Sequence, residues 1–314
     1  MSKTYNDIKV KTIPAAFEAQ ESRPPATCDE LVESFSQSGL HREVSETLAL
    51  FLTTSRRHLS YGEKKARTAI RQWAESRGLT TTTDKIGNII IDTRTTAKHT
   101  TLFSCHTDTV HRIIPDYGNH SNPVELLHDG NVRAADGASC LGSDDAAGVA
   151  VLQTLLIAQY PALYIFHVGE EVGGLGSEYI AESTPELLSG IMHAIAFDRM
   201  GRSDVIWVQG GDQCASIGCT TALAAALNTV DKTFTYRPDD TGSFTDTKNY
   251  YELIPECFNI ACGYTSAHTR HELLDLGHLA KLCNAATQID WDSLPVLRVP
   301  YRQRKDWQWD TLKS

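Results

Sequence analysis

The 314-residue sequence has no apolar run that approaches the ~20 residues a membrane-spanning helix needs. Its first ten residues, MSKTYNDIKV, lack the apolar core of a secretory signal peptide. The eight cysteines are scattered along the chain and form no CxxC pair, which predicts free thiols in a reducing compartment. We therefore expect a cytoplasmic protein without a membrane partner.

An excess of positive charge is also missing. Lys and Arg number 29 against 39 Asp and Glu, so the formal net charge is −10. An acidic surface repels nucleic acid and anionic lipid, and neither is expected as the main partner. The glycines at 173, 174 and 176 do not form a GxGxxG pattern, so a dinucleotide site is not expected either.

Apolar strand patterns alternate with helical patterns along most of the chain. This alternation predicts an α/β fold with a mostly parallel sheet between helices on both faces. Strands are predicted at 86–91, 101–105, 162–168, 191–197, 205–208, 233–236 and 257–262. Helices are predicted at 44–57, 62–77, 146–158, 220–229 and 272–289.

Polar side chains capable of binding a metal follow three of these strands. His106 ends the stretch TLFSCH, Glu170 and Glu171 follow ALYIFHVG, and Asp198 follows IMHAIAF. Ligands collect at the carboxyl ends of parallel strands, so we expect these side chains to converge. Two adjacent carboxylates after a buried strand are costly to bring together unless cations neutralise them.

Two further stretches add candidate ligands. Asp144 and Asp145 precede a predicted helix, where carboxylates are also ordinary N-terminal residues. His268 and His271 lie in AHTRHELLD, which approaches HExxH but ends in Asp275, so a single-zinc protease of that type is disfavoured. Five nitrogen and oxygen ligands with a spare glutamate suit two divalent metals, and zinc, cobalt or manganese fits a donor set without cysteine.

Taken in order, HTDTV, LGSDDAAG, GEEVGGLG, FDRMG and AHTRHE resemble the motifs of the co-catalytic dinuclear zinc exopeptidases. These include the bacterial zinc aminopeptidases of metallopeptidase family twenty-eight, the peptidase T group and related deacylases. The resemblance spans about residues 44–290. It implies a three-layer αβα catalytic domain over that range, with an N-terminal extension at 1–43 and an aromatic, basic tail at 291–314. Only 268 − 198 = 70 residues separate Asp198 from His268, so the lid domain that peptidase T inserts there is not expected.

The resemblance also implies a role for the candidate ligands. One metal ion would be bound by His106 and Asp198, a second by Glu171 and His268, and both by Asp144. Asp144 is preferred to Asp145 as the bridge because it stands at the spacing of the family motif. His268 is preferred to His271 because of its spacing to Glu272.

In the same comparison Glu170 is the general base, which activates a metal-bridging hydroxide for attack on an amide carbonyl. Asp108 would orient His106 from behind, as carboxylates often do for metal-bound histidine. Arg199 and Asp246 are candidate substrate contacts. The cofactors implied are two zinc ions, with cobalt or manganese as alternatives.

The implied activity is that of an aminopeptidase or a di- or tripeptidase acting on a peptide substrate. A deacylase of N-acyl amino acids or metabolites would carry the same motifs. A glutaminyl-cyclase-like transferase and an inactive binding protein are further alternatives. A homo-oligomer is compatible with each of them.

Overall fold

The computed structural model of the protein describes residues 24–112 and 120–300. The α-helices in these residues are α1 (Cys28–Gln37), α2 (Arg42–Leu52), α3 (Tyr61–Ser76), α4 (Ser143–Ile157), α5 (Leu175–Ser183), α6 (Ile217–Val230) and α7 (Leu276–Ala286). Short 3₁₀ helices lie at Pro185–Leu188, Asp246–Tyr250 and Trp291–Ser293. The strands are β1 (Thr82–Thr83), β2 (Ile89–Asp92), β3 (Thr101–His106), β4 (Val124–Leu126), β5 (Asn131–Ala134), β6 (Leu163–His167), β7 (His193–Arg199), β8 (Asp204–Ile206), β9 (Val208–Gln209), β10 (Asp212–Gln213), β11 (Arg237–Asp239), β12 (Glu256–Ala261), β13 (Tyr264–Thr265) and β14 (Leu273–Asp275).

An eight-stranded mixed sheet organises the fold, in the order β1-β2-β6-β3-β7-β12-β8-β11. Its four central strands, β6, β3, β7 and β12, run parallel, and β2 and β8 flank them in the antiparallel direction. Every residue of β3 is buried, as expected for a strand covered on both faces. The parallel centre brings the carboxyl ends of β3, β6 and β7 to one edge of the sheet.

Helices cover both faces of this sheet, because side chains alternate along each strand. Leu163 and Ile165 of β6 enter one apolar cluster, which α5 and the Asp246–Tyr250 turn complete. Tyr164 and Phe166 enter the larger cluster on the opposite face, which contains α2, α4 and α7. These layers give the predicted αβα architecture.

The segment between Asp198 and His268 is described throughout and contains no inserted lid domain. It supplies α6 and the strands β8, β11 and β12, and all three strands pair within the main sheet. The segment between Asp198 and His268 therefore forms part of the main sheet and its helices, and not a separate domain.

The sequence of α4 shows why a buried central helix can be predicted from sequence. Its sequence AAGVAVLQTLLIA has no polar face, which predicts a helix surrounded by protein. The structure places α4 between the sheet and the helices α2 and α7. Backbone angles inside the assigned helix are non-helical at Asp144 and Asp145, so regular helix begins just after them, as predicted.

Three local predictions were wrong. The apolar stretch 233–236 is not a strand, and the pairing segment is the polar β11 that follows it. The 272–289 helix begins only at residue 276, because Leu273–Asp275 pairs with β5 in a second, four-stranded sheet. That sheet also takes β4 from the stretch 111–130, for which no strand is predicted above from the sequence. Tertiary pairing overrides local pattern at each of these positions.

The two ends of the described chain pack on the central domain. Leu31 and Phe35 of α1 are fully buried in the larger apolar cluster, so the described part of the predicted N-terminal extension joins the core. Residues 291–300, the C-terminal strap, bury Trp291 edge-on against Phe103 and Phe197. The tryptophans at 307 and 309 lie outside the described residues.

No helix in the described part of the chain is both long and apolar enough to cross a membrane.

Glu256 fastens the C-terminal strap. Its fully buried carboxylate accepts hydrogen bonds from the N–H of Leu297 at 2.7 Å and of Arg298 at 3.0 Å, and from both the N–H and the hydroxyl of Ser216. We expect Glu256→Ala to lower the free energy of unfolding by about 3 kcal/mol, because it strands several buried donors. Urea denaturation followed by circular dichroism measures the loss.

The exposed Asp240 provides the matched control. Asp240→Ala removes a carboxylate without buried donors and should change stability by less than ~0.5 kcal/mol. Equal effects of the two substitutions would contradict the role given to Glu256.

Candidate metal centre

His106 ends β3 with its side chain buried and its imidazole facing two carboxylates. Its Nε2 lies 3.0 Å from Asp144 Oδ1 and 3.4 Å from Asp198 Oδ1. Its Nδ1 lies 3.2 Å from the backbone carbonyl oxygen of Asp108. That contact directs Nε2, the nitrogen available to bind a metal, toward the carboxylates.

A second imidazole approaches Asp144 from the other side. His268 Nε2 lies 3.1 Å from Asp144 Oδ2 and 3.0 Å from Glu171 Oε1. Asp144 therefore presents one oxygen to each histidine. The structure thus brings together all five side chains that were predicted as ligands: His106, Asp144, Glu171, Asp198 and His268.

Asp145, the alternative bridge, has its carboxylate oxygens engaged by the backbone. Oδ1 accepts a hydrogen bond from Gly148 N–H at 2.8 Å, and Oδ2 accepts one from His106 N–H at 3.1 Å. Its carboxylate also lies close to the ligand atoms of His106 and Asp198, but its side chain is fully buried. Gly148 permits this arrangement, because a Cβ there would lie 2.5 Å from the Asp145 carboxylate and from the Phe197 carbonyl oxygen. The geometry favours Asp144 as the bridging carboxylate.

Asp108 connects the end of β3 with the turn that follows β6. Its carboxylate accepts hydrogen bonds from the N–H of Glu170 at 3.2 Å and of Glu171 at 3.3 Å. The carboxylate is 3.7 Å from His106 Nδ1, too far for a hydrogen bond, so the backbone carbonyl makes the orienting contact. Asp108 therefore positions both His106 and the two glutamates.

His268 lies in a loop after β13 with a φ angle of +66°, in the left-handed region that non-glycine residues rarely occupy. Such conformations cluster at functional sites, where the surroundings hold them in place. His271, the alternative ligand, is exposed, and its Nε2 lies 3.3 Å from Arg270 Nε. The structure places His268, and not His271, in the cluster.

Glu272 has a role that sequence reasoning missed, although its spacing was used to choose His268. It is 1% exposed and accepts hydrogen bonds from the N–H of Leu141, Gly142 and Asp144 at 2.9 to 3.2 Å, and from the Ser143 hydroxyl. One carboxylate thus holds the backbone that presents Asp144. Because Glu272 follows His268 in the same loop, its hydrogen bonds also connect the loop of His268 to the backbone of Asp144.

Arg56 is the second residue that sequence reasoning missed. Its guanidinium is fully buried and donates to the carbonyl oxygens of Thr107, at 2.8 Å, and of Gly142. These carbonyls flank His106 on one side and Asp144 on the other. Nothing in the sequence distinguishes Arg56 from its exposed neighbour Arg57, because the contacts join segments far apart in the chain.

The charges of this cluster do not balance without cations. Burial, together with the neighbouring anions Asp198, Asp246 and Asp144, raises the pKa of Glu170 to about 10. Burial and the Asp144 charge raise the pKa of Asp198 as well. Hydrogen bonds with Asp144 and Glu171 raise the pKa of His268 to about 11. Crowded carboxylates bind protons in this way when no other positive charge reaches them.

The donor set fits divalent metal ions. The ligand atoms of His106, Asp144 and Glu171 lie within 4.8 Å of one another, as do those of His106, Asp145 and Asp198. Imidazole and carboxylate donors without thiolate suit zinc, cobalt or manganese. Positive ions between these groups would neutralise the repulsion that the raised pKa values reflect.

A cavity of about 410 Å³ opens above the cluster. Its lining includes Asp144, Glu170, Glu171, Asp198 and His268. Volumes of ~300–1,000 Å³ are typical of sites for small ligands. The cavity therefore gives a small substrate access to the predicted metal ligands and to Glu170.

The two predicted substrate contacts fall in different places. Arg199 lines the cavity. Asp246 is 1% exposed and lies beneath the site, with Oδ2 3.3 Å from His167 Nδ1. Burial lowers the pKa of His167 to about 3 and raises that of Asp246 to about 8. The described structure gives Asp246 no access to substrate, because the chain turns into the Asp246–Tyr250 3₁₀ helix against the sheet.

Comparison with known protein families identifies the family of the chain. The model of peptidase family M28 matches residues 88–253, which is more than half of the chain. The chain belongs to this family. Its members are typically zinc-dependent, and the enzyme is accordingly a zinc metallopeptidase of the co-catalytic exopeptidase superfamily. No curated protein sequence matches the chain.

Solved structures agree at the level of the fold. The aminopeptidase PepT from Bacillus cereus is 15% identical, with a TM-score of 0.60 over 80% of this chain and 97% of that one. A tripeptidase from Staphylococcus aureus is 14% identical, with a TM-score of 0.60 over 82% and 97%. The TET1 peptidase of Pyrococcus horikoshii is 17% identical, with a TM-score of 0.57 over 77% and 98%. The family and these folds together support a metallo-aminopeptidase.

The backbone that presents Asp144 is held by the Glu272 carboxylate. We expect Glu272→Ala to weaken zinc binding about 10–100-fold, because the backbone that carries Asp144 loses its buried acceptor. Competition with a chromogenic chelator measures the affinity, and circular dichroism confirms that the variant is folded.

His271→Ala is the control, since this exposed histidine neighbours Glu272 in sequence and lies outside the cluster. It should bind zinc as the wild type does. A loss of affinity in His271→Ala equal to that in Glu272→Ala would contradict both assignments.

Proposed function

We propose that the protein is an aminopeptidase or a di- or tripeptidase that hydrolyses an amide bond at a two-metal centre, with Glu170 as general base. The observation that carries the proposal is the position of Asp144 between His106 and His268, with one carboxylate oxygen facing each imidazole. A carboxylate so placed suits a bridge between two metal ions. Four of the proposed ligands, Asp144, Glu171, Asp198 and His268, line a cavity that Glu170 also lines. His106 lies directly behind them, within 3.4 Å of Asp144 and Asp198.

The proposed ligands divide into two groups around the bridge. His106 and Asp198 would hold one ion, Glu171 and His268 the other, and Asp144 both. When bound, two divalent cations would supply an acidified water and would polarise the scissile carbonyl group.

The position of Glu170 suits the transfer of a proton from the attacking water to the leaving amine. Its side chain lines the cavity, and its backbone N–H is fixed by Asp108 at 3.2 Å, so the carboxylate is held beside the ligands without being one of the clustered donors. As general base it takes a proton from the attacking water and returns it to the leaving amine. A carboxylate in this position contributes ~10²–10⁴-fold to the rate.

The substrate class follows from the shape of the site and from the family. A cavity of about 410 Å³ lies in the size range of small-ligand sites, which favours a short peptide or one end of a longer one as the substrate. Exopeptidase action is therefore preferred to cleavage within a chain. A deacylase of N-acyl amino acids would use the same groups. Assays with both peptides and N-acyl amino acids distinguish the two activities.

A homo-oligomer is part of the proposal. The TET1 peptidase of Pyrococcus horikoshii can assemble into a tetrahedron or a large octahedral shell. The likeness of folds supports an assembly of some kind, which light scattering of the purified chain would detect.

We expect Glu170→Gln to retain bound metal and to lose at least ~100-fold in turnover, because only the proton carrier is removed. Elemental analysis of protein purified without chelator should find about two ions per chain in wild type and variant alike. Aminoacyl anilides, dipeptides and N-acyl amino acids are the substrates. Full activity of Glu170→Gln would refute its role, and turnover of the N-acyl compounds alone would replace the peptidase with a deacylase.

Removal of the metal should abolish activity reversibly. We expect a chelator to reduce hydrolysis to background, and zinc or cobalt to restore it, since both ions fit the donor set. A titration of activity against added metal measures the stoichiometry. Activity that is complete with one ion per chain would contradict the two-metal centre.

A further inference from the structure

One wall of the cavity carries polar side chains that the proposed chemistry does not use. This Arg199 wall consists of Arg199, Ile206, Gln209, Gly242, Ser243 and Phe244. It begins at the residue directly after Asp198, so anything bound against it lies beside the metal centre.

A bulge in β7 places Arg199 at this wall. Ala196 pairs with Asn259 and Arg199 pairs with Ala261, so β7 advances one residue more than β12 between the two pairs. A bulge re-aims the side chains next to it and is common beside active sites. Neighbouring strand residues ordinarily point to opposite faces, yet Asp198 and Arg199 both line the cavity.

The Arg199 guanidinium has donors to spare. Nη2 donates to Thr241 Oγ1 at 3.0 Å, and Nε is buried without a hydrogen-bond partner among the described residues. The closest carboxylate oxygen, Asp204 Oδ2, is 3.7 Å from Nη2, beyond hydrogen-bond distance. Asp204 also faces Arg237 at 3.8 Å, so one carboxylate serves two guanidinium groups.

Gln209 adds an independent observation at the same wall. It is 1% exposed, and its Oε1 is buried without a hydrogen-bond partner in the described part of the chain. Gln209 lies close to Thr241, the hydrogen-bond partner of Arg199, because Gln209 pairs with the next residue, Gly242, in a β-bridge. A buried polar atom left unsatisfied costs free energy unless a ligand or water completes it. The unpaired Arg199 Nε is a donor that an acceptor group of the substrate would satisfy, whereas Gln209 Oε1 is an acceptor that a substrate N–H or a water would satisfy.

We propose that Arg199 binds a carboxylate of the substrate and makes the enzyme selective for acidic substrates. The planar guanidinium matches a carboxylate in a two-pronged hydrogen bond, and a partly buried site strengthens that bond. The proposal rests on the proposed function, because it concerns the substrate of the same site. Two sources of the carboxylate fit: an acidic N-terminal side chain, or the free C-terminus of a dipeptide.

Matched pairs of substrates test the proposal and distinguish these sources. The first pair is glutamyl and glutaminyl p-nitroanilide, which differ in the side chain. The second is a Leu-Gly dipeptide with a free or an amidated C-terminus. For the wild type we expect kcat/KM to favour the carboxylate member of one pair at least about 10-fold, because a buried hydrogen-bonding site rejects an imperfect partner.

Substitution of Arg199 should remove this preference. In Arg199→Met the acid-to-amide ratio of kcat/KM should fall to about one, mainly through a rise in KM for the acid. Arg199→Lys should restore part of the ratio, since it keeps the charge and loses the planar fork. Arg237→Met is the control, because Arg237 shares Asp204 but does not line the cavity, and it should keep the wild-type ratio.

Binding without turnover provides a second readout. Calorimetric titration of Glu170→Gln with the preferred acid and its amide should give the same preference in Kd, and the double variant with Arg199→Met should lose it. A wild-type enzyme that hydrolyses amide and acid equally well in both pairs overturns the Arg199 proposal and leaves the peptidase intact. Failure to hydrolyse any member of the panel, with metal bound, instead overturns the proposed function.

Discussion

Repulsion among buried carboxylates is the constraint on which the site depends. Asp144, Glu170, Glu171 and Asp198 face one another around two imidazoles, and burial raises the pKa of Glu170 to about 10. Such a cluster is stable only when positive charge enters it. Buried charged side chains hold these groups in place by hydrogen bonds to the backbone, and packing alone does not account for those buried charges.

The supports of the site come from segments distant in the chain. Glu272 holds the backbone before Asp144, and Asp108 holds the turn of the two glutamates. Arg56 joins the end of β3, at Thr107, to the backbone before Asp144, at Gly142. Each support is a buried charged group that binds main-chain atoms. Main-chain contacts fix the position of a ligand without competing for the metal.

In the proposed function, the floor of the cavity serves catalysis and the Arg199 wall serves substrate selection. The floor contains four of the proposed metal ligands and Glu170, while the Arg199 wall contains one donor and one acceptor atom, Arg199 Nε and Gln209 Oε1, without a partner among the described residues. The bulge in β7 connects the two, because it turns Asp198 and Arg199 toward the same space. A change of substrate preference could therefore arise at the wall without any change in the ligands.

The sequence by itself determined the αβα class, the order of the central strands along the chain and the set of candidate ligands, because buried strands and the polar residues after them are local patterns. Asp144 and His268 could be preferred only by resemblance. Only tertiary structure distinguishes them from Asp145 and His271. It engages the Asp145 oxygens with backbone N–H groups, and it places His268, and not His271, beside Asp144 and Glu171. Tertiary structure alone also moved Asp246 away from the substrate, paired β11 and β14, and gave Arg56 and Glu272 their roles. Each of these depends on contacts between segments far apart in the chain, which no local pattern records.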